Sequence, residues 1–258
     1  MVINLPVKVK TTSGTKEWAD FNVNCVKGCS NDCKYCYAKM MAKRFRRSTD
    51  EDWKFMTINK GAVNKNYRKY NGRVMFPSTH DITDDEEIVE ACLTVIEKLL
   101  DAGNEVLITT KPRLSVTKQI IFTFSEYIDQ LQFRFTITSI NNNLLSFWEP
   151  NAPSFDERFS SLQYAFNYGY KTSVSIEPFL DYIPQELVYT LAPYITESIW
   201  LGPMNYISRN GLSTDEEKKY DEIRVKYEYK HLLDIYNELI DCPLIRFKDS
   251  MINRLNIE

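Results

Sequence analysis

Residues 24–38 read NCVKGCSNDCKYCYA and hold four of the chain's six cysteines. Their spacing is the first clue to the fold. Cys29, Cys33 and Cys36 stand as Cys-x3-Cys-x2-Cys, which lets one short loop present three soft thiolates, a set suited to an iron–sulfur cluster. A closed structural zinc site wants four ligands, usually as two separated pairs, and no second Cys or His pair follows downstream. Cys25 could serve as a fourth ligand, so the zinc reading stays open on spacing alone. The N-terminus MVINLPVKVKTTSGTKEW has no apolar signal core, and no run of about 18 uncharged apolar residues exists. A cytoplasmic location is therefore expected, where clustered thiols are more often metal ligands than disulfides. Of the other two cysteines, Cys92 falls in the helical stripe Ile88, Cys92, Val95, Ile96, Leu99 and reads as a buried thiol. Cys242 precedes a strand-like run and reads as inert.

Outward from the loop, strand-like and helical runs alternate. Strands are predicted at 20–26, 73–77, 105–110, 133–140, 171–177 and 198–202, with a further one at 244–247. Between them lie helix start signals. Thr83-Asp-Asp-Glu86 opens a helix stopping at Gly103, Ser154-Phe-Asp-Glu157 opens one ending near Gly169, and Ser213-Thr-Asp-Glu216 opens a long one reaching Asp241. Repeated βα units without a linker predict an α/β chain folded as a partial (β/α)6 TIM-like barrel over residues 20–258, preceded by an extension at 1–19. Ligands in such barrels gather at the C-terminal ends of the strands. Cys25 to Cys36, Ser78, Thr79, His80, Lys111, Ser139, Asn141, Glu177, Met204 and Asn205 all fall there.

Charge is unevenly spread. The net charge is −3, yet residues 34–73 hold twelve Lys and Arg against three acids, a local balance of +9 that leaves −12 elsewhere. Interleaved with Phe45, Trp53, Phe55, Tyr67 and Tyr70, this segment could follow a nucleic-acid backbone and stack on bases. It could equally be a solvated helix and loop.

NCVKGCSNDCKYCYA, with Tyr35 before the last cysteine and βα units behind it, resembles the opening of the radical S-adenosylmethionine (radical SAM) enzymes. It is similar in particular to the branch of spore photoproduct lyase and the DNA repair photolyase-like proteins. VLITTK (106–111), FTITS (135–139), WEPNAPSFDERFSSLQYAFNYGYKTSVSIEPFLD (148–181) and WLGPMN (200–205) resemble that branch in the same order. The resemblance implies that Cys29, Cys33 and Cys36 bind a [4Fe–4S] cluster whose fourth iron chelates S-adenosylmethionine, with a flavodoxin- or ferredoxin-type electron donor. It implies an adenine contact for the Tyr35 backbone, and the methionyl amine at Ser78 and Thr79. Lys111 would take the methionyl carboxylate, as its charge suits. Thr138 or Ser139, and Ser175 or Glu177, would meet the sulfonium and the ribose hydroxyls. Tyr37 matches a tyrosine implicated in hydrogen transfer.

Two departures stand out. Cys25 occupies a place usually held by proline, and VMFPSTHD at 74–81 lacks the cysteine with which spore photoproduct lyase returns a hydrogen atom to its product. His80, with Asp81 at the expected mouth, is a candidate proton donor or acceptor. The expected activity is radical SAM chemistry on a substrate, with nucleic acid favoured and a small metabolite or peptide as the alternative. A non-enzymatic zinc or iron–sulfur protein is the contrasting reading.

Overall fold

The computed structural model describes residues 14–209 and 211–257; residues 1–13 of the expected N-terminal extension lie outside the described residues. Seven strands form one parallel sheet: β1 (Phe21–Asn22), β4 (Val74–Phe76), β5 (Val106–Thr110), β6 (Leu131–Thr136), β7 (Lys171–Ile176), β8 (Ile199–Leu201) and β9 (Ile245–Phe247). They pair in sequence order, which the right-handed crossover of successive βα units produces. The sheet curls into a half-barrel with β1 and β9 as its edges. All seven fall on the predicted runs, but β1 ends four residues earlier than the predicted 20–26, and β6 starts two residues earlier and ends four residues earlier than the predicted 133–140. A separate antiparallel ribbon, β2 (Val26–Lys27) with β3 (Thr57–Ile58), flanks the cysteine loop.

Register explains the layering. Phe135, Val174, Ile199 and Ile245 align across four strands as one apolar row, and Thr136, Ser175, Trp200 and Arg246 align as the next. Successive side chains on a strand point to opposite faces. The apolar face packs against helices, and the polar and aromatic face lines the concave side. The helices are α1 (Tyr37–Arg44), α2 (Lys60–Asn64), α3 (Glu86–Asp101), α4 (Leu114–Thr123), α5 (Asn142–Trp148), α6 (Phe155–Asn167), α7 (Pro184–Leu191), α8 (Thr214–Lys226), α9 (Tyr229–Leu239) and α10 (Asp249–Leu255). In α3 the stripe Ile88, Cys92, Val95, Ile96 and Leu99 is buried as its 3.6-residue spacing requires.

Two boundaries differ from expectation. Asp85, not Thr83, caps α3, its carboxylate accepting from Ile88 N at 3.1 Å. The long C-terminal helix is two helices. Lys226 Nζ donates to Leu180 O and the Tyr227 hydroxyl to Phe179 O, each at 2.6 Å. Anchoring both side chains on the loop after β7 turns the chain before α9.

The described part of the N-terminal extension is built into the barrel. Lys248, just past β9, donates from Nζ to Gly14 O at 3.1 Å and pairs with Glu17. Trp18 then packs edge-on against Trp200 at 6.0 Å, and Arg134 lies over the Trp18 ring at 4.9 Å. Residues 14–20 thus bridge the two edge strands.

Candidate active site at the C-terminal edge

The cysteine loop leaves β2 at Gly28 and is lashed down on three sides. Gly28 has φ +82°, and a Cβ there would sit 2.4 Å from Phe55 O, so only glycine admits this approach. Cys29 N donates to Trp53 O at 2.8 Å. On a second side Asn31 Nδ2 donates to Asp81 Oδ2 at 2.7 Å, and the Asp81 carboxylate also receives the Thr110 hydroxyl and Lys111 N. On the third, Lys34 N donates to Trp148 O at 2.9 Å and Asn151 Nδ2 to Ser30 O at 2.8 Å. The loop is therefore tied to the turn after β4, through Asp81 indirectly to the end of β5, and to the end of α5.

Cys33 is buried, Cys29 and Cys36 partly so. Burial pushes the Cys29 thiol up to about 12 and holds those of Cys33 and Cys36 above the ordinary range. Thiols so placed become thiolates when they bond to a metal cation. Cys36 also caps α1, its sulfur accepting from Lys39 N at 3.4 Å, so the helix dipole favours negative charge there. In a cubane each thiolate bonds a different iron, so the three sulfurs need not converge on one point. Among the described residues no trio of Cys, His, Asp or Glu does. Three thiols on one loop, one of them buried and one at a helix N-terminus, fit a [4Fe–4S] cluster.

Lys111 directly follows β5, with its ammonium 5.5 Å from the Tyr35 ring centroid. Burial pulls its pKa down, but Cys33, Glu149 and Asp81 outweigh that and raise it, so the cation persists. Its Nζ makes no ion pair or hydrogen bond to an oxygen of the described residues. An unmatched ammonium at a strand's end suits an incoming carboxylate.

Asn24 was not singled out from the sequence, although it opens the quoted stretch. Its Oδ1 accepts from Ser78 N at 2.7 Å and Thr79 N at 2.9 Å, and its Nδ2 donates to Ser78 Oγ at 2.9 Å. The Tyr37 hydroxyl donates to Ser78 O at 2.9 Å from the other side. Ser78, Thr79 and Tyr37 are thereby brought together, with Thr79 and the Tyr37 ring exposed. Burial pushes the Tyr37 hydroxyl up to about 12, keeping it protonated.

The Nε2 of His80 accepts from Cys25 N at 3.3 Å, so its Nδ1 carries the proton and faces Asp81 O at 3.0 Å. Both ring nitrogens are engaged and the residue is buried, linking the segment after β1 to the segment after β4. Thr138 is fully buried and donates to Glu149 Oε1 at 2.6 Å. The Tyr35 hydroxyl donates to the same oxygen. Ser139 donates to Asp181 and accepts from Asn141 N at 2.8 Å. Ser175 is buried in the concave row between Thr136 and Trp200. Glu177 accepts from Asn205 Nδ2 at 3.2 Å, with Lys248 Nζ 3.6 Å away. Burial raises its carboxyl to about 7 against the pull of Lys248.

The radical SAM superfamily model matches residues 23–188, more than half of the chain, including the cysteine loop, Ser78, Lys111 and Glu177. The chain belongs to the radical SAM superfamily. Among solved structures, this radical SAM protein is similar to a spore photoproduct lyase variant with bound AdoMet and dinucleoside spore photoproduct. The TM-score is 0.58 at 15% identity, covering 94% of this chain and 80% of that one. A second variant, with the dinucleoside spore photoproduct, gives 0.58 at 16%. The likeness extends over the half-barrel as a fold. Uncharacterized protein ORF301 of Acidianus two-tailed virus is 30% identical over 175 residues, 63% of this chain and 57% of that protein. Uncharacterized protein MJ0683 of Methanocaldococcus jannaschii is 24% identical over 221 residues, 84% of each chain. No helix among the described residues is long and apolar enough to cross a membrane.

Proposed function

We propose that Cys29, Cys33 and Cys36 hold a [4Fe–4S] cluster at which S-adenosylmethionine is reductively cleaved to a 5′-deoxyadenosyl radical that abstracts hydrogen from a substrate. The observation that carries this is the unmatched Lys111 ammonium standing over Tyr35 inside the cysteine loop. Lys111 would hold the methionyl carboxylate. Ser78 and Thr79, fixed by Asn24, would face the amine. Glu177, with its carboxyl half protonated near neutrality, can accept from or donate to a ribose hydroxyl. A flavodoxin- or ferredoxin-type protein would supply the electron.

For the substrate we favour nucleic acid. A spore photoproduct lyase variant similar in fold has AdoMet and dinucleoside spore photoproduct bound. Within 34–73, Lys34, Lys39, Lys43 and Lys54 are paired with carboxylates, but Arg44, Arg46 and Arg47 lie exposed beside Phe45, with Arg47 5.2 Å from its ring. Phe45 and Phe55 are exposed enough to stack on bases, whereas Trp53 is buried and Tyr67 and Tyr70 pack against the core.

Anaerobic reconstitution with iron and sulfide, followed by dithionite and S-adenosylmethionine, should release 5′-deoxyadenosine, and Cys33→Ala should abolish both the iron and the product. Equal iron content in the variant, or no 5′-deoxyadenosine from the wild type, defeats the proposal.

A further inference from the structure

Three cysteines, Cys25, Cys92 and Cys242, stand outside the ligand set, and the fold brings the first two together across 67 residues of chain. Cys25 Sγ lies 3.8 Å from Cys92 Sγ, and neither residue has any exposure. The Cys25 backbone is pinned on both sides, its N–H donating to His80 Nε2 at 3.3 Å and its carbonyl accepting from Asn59 N at 2.8 Å. Its thiol turns the other way, to the middle of α3, with Ala91 O at 3.9 Å. A disulfide has S–S about 2.05 Å, so roughly 1.8 Å of approach separates the pair from bonding.

We propose that Cys25 and Cys92 are a redox-convertible pair that closes to a disulfide on exposure to peroxide. Two S–H bonds and the O–O bond break, one S–S bond forms, and both hydrogens leave with the oxygens as two waters. The thiols are oxidised by two electrons and the peroxide is reduced. Closure fastens the segment that feeds the cysteine loop to the helix behind it. It also spares either sulfur from climbing alone to the irreversible sulfinic acid, and a thiol reductant reverses it. The inference needs neither the cluster nor a particular substrate.

The test uses the full chain, purified anaerobically, treated with hydrogen peroxide, alkylated in denaturant and digested with trypsin without reductant. Cleavage after Lys27 separates Cys25 from Cys29, and Cys92 is the one cysteine of residues 74–98. The expected product is peptide 17–27 joined to peptide 74–98, two hydrogens lighter than their sum and lost on adding dithiothreitol. Cys92→Ser should abolish it and leave Cys25 alkylated or further oxidised. Recovery of both cysteines singly alkylated from the treated wild type, their appearance as separate sulfinic acids, or a link from Cys25 to the 29–36 loop instead would each overturn the inference. Circular dichroism of Cys92→Ser checks that its fold is retained, and the wild-type peptide map decides the outcome without the variant.

Discussion

Arg158 Nη2 stands 2.5 Å from Glu149 Oε2, and both side chains are wholly buried. The other Glu149 oxygen receives the hydroxyls of Tyr35 and Thr138, so one carboxylate joins the cysteine loop, the end of β6 and α6. Burial pushes the Glu149 carboxyl up, but Arg158 and Lys111 outweigh it and hold the pKa low. Removing one partner of such a pair leaves an uncompensated buried charge. Glu149→Gln should therefore cost about 3–5 kcal/mol in urea unfolding, even though the amide can still accept from Tyr35. Adding Arg158→Met should cost less than its single-variant loss, because the two share one interaction. A Glu149→Gln penalty under about 1 kcal/mol would contradict this account.

Lys111→Met keeps the stem that packs against Tyr35 and deletes the charge. Binding of S-adenosylmethionine should weaken by at least about tenfold, the ~1.5–3 kcal/mol of a hydrogen bond to a charged group. Iron content should stay at the wild-type level. Unchanged affinity by equilibrium dialysis would remove Lys111 from the carboxylate role.

Glu177 gives a pH signature. Its folded pKa, about 7, lies above the ordinary 4.5, so the folded state binds more protons between those values and stability falls as pH rises through that window. The contribution is fully present below about pH 4.5 and gone above 7, on the order of 3 kcal/mol. Glu177→Gln should flatten the unfolding free energy across this range. A variant whose pH slope equals that of the wild type would show that Glu177 titrates normally.

If nucleic acid is bound by the exposed arginines, affinity should fall with salt at a slope of about −0.7 per phosphate contact for a single strand. Changing Arg44, Arg46 and Arg47 to Gln should lower that slope by roughly two units while leaving S-adenosylmethionine binding unaltered. A slope that does not move would place the contacts elsewhere or exclude this substrate class.

Much of the scaffold could be read from local signals. The seven strands announce themselves as β-branched and aromatic runs, and Ser154 and Ser213 cap the helices their sequences predict. Asp85 displaced Thr83 as a cap because two carboxylates compete for the same first turn, and a pattern search does not rank them. The side-chain contacts of His80 were not legible for a different reason. Its position after β4 is visible in sequence, but its side-chain direction is set by Cys25, 55 residues away.

The sequence by itself determined that three thiols would rise from one loop at the end of a strand in a parallel βα half-barrel, because spacing and periodicity are local properties of the chain. Only the tertiary structure decided which polar groups serve that loop. Asn24 reaches Ser78 across 54 residues and Tyr35 reaches Glu149 across 114. Such contacts depend on which strand ends meet when the sheet curls, and the burial that fixes the charge of Lys111 and Glu177 exists only once it has done so.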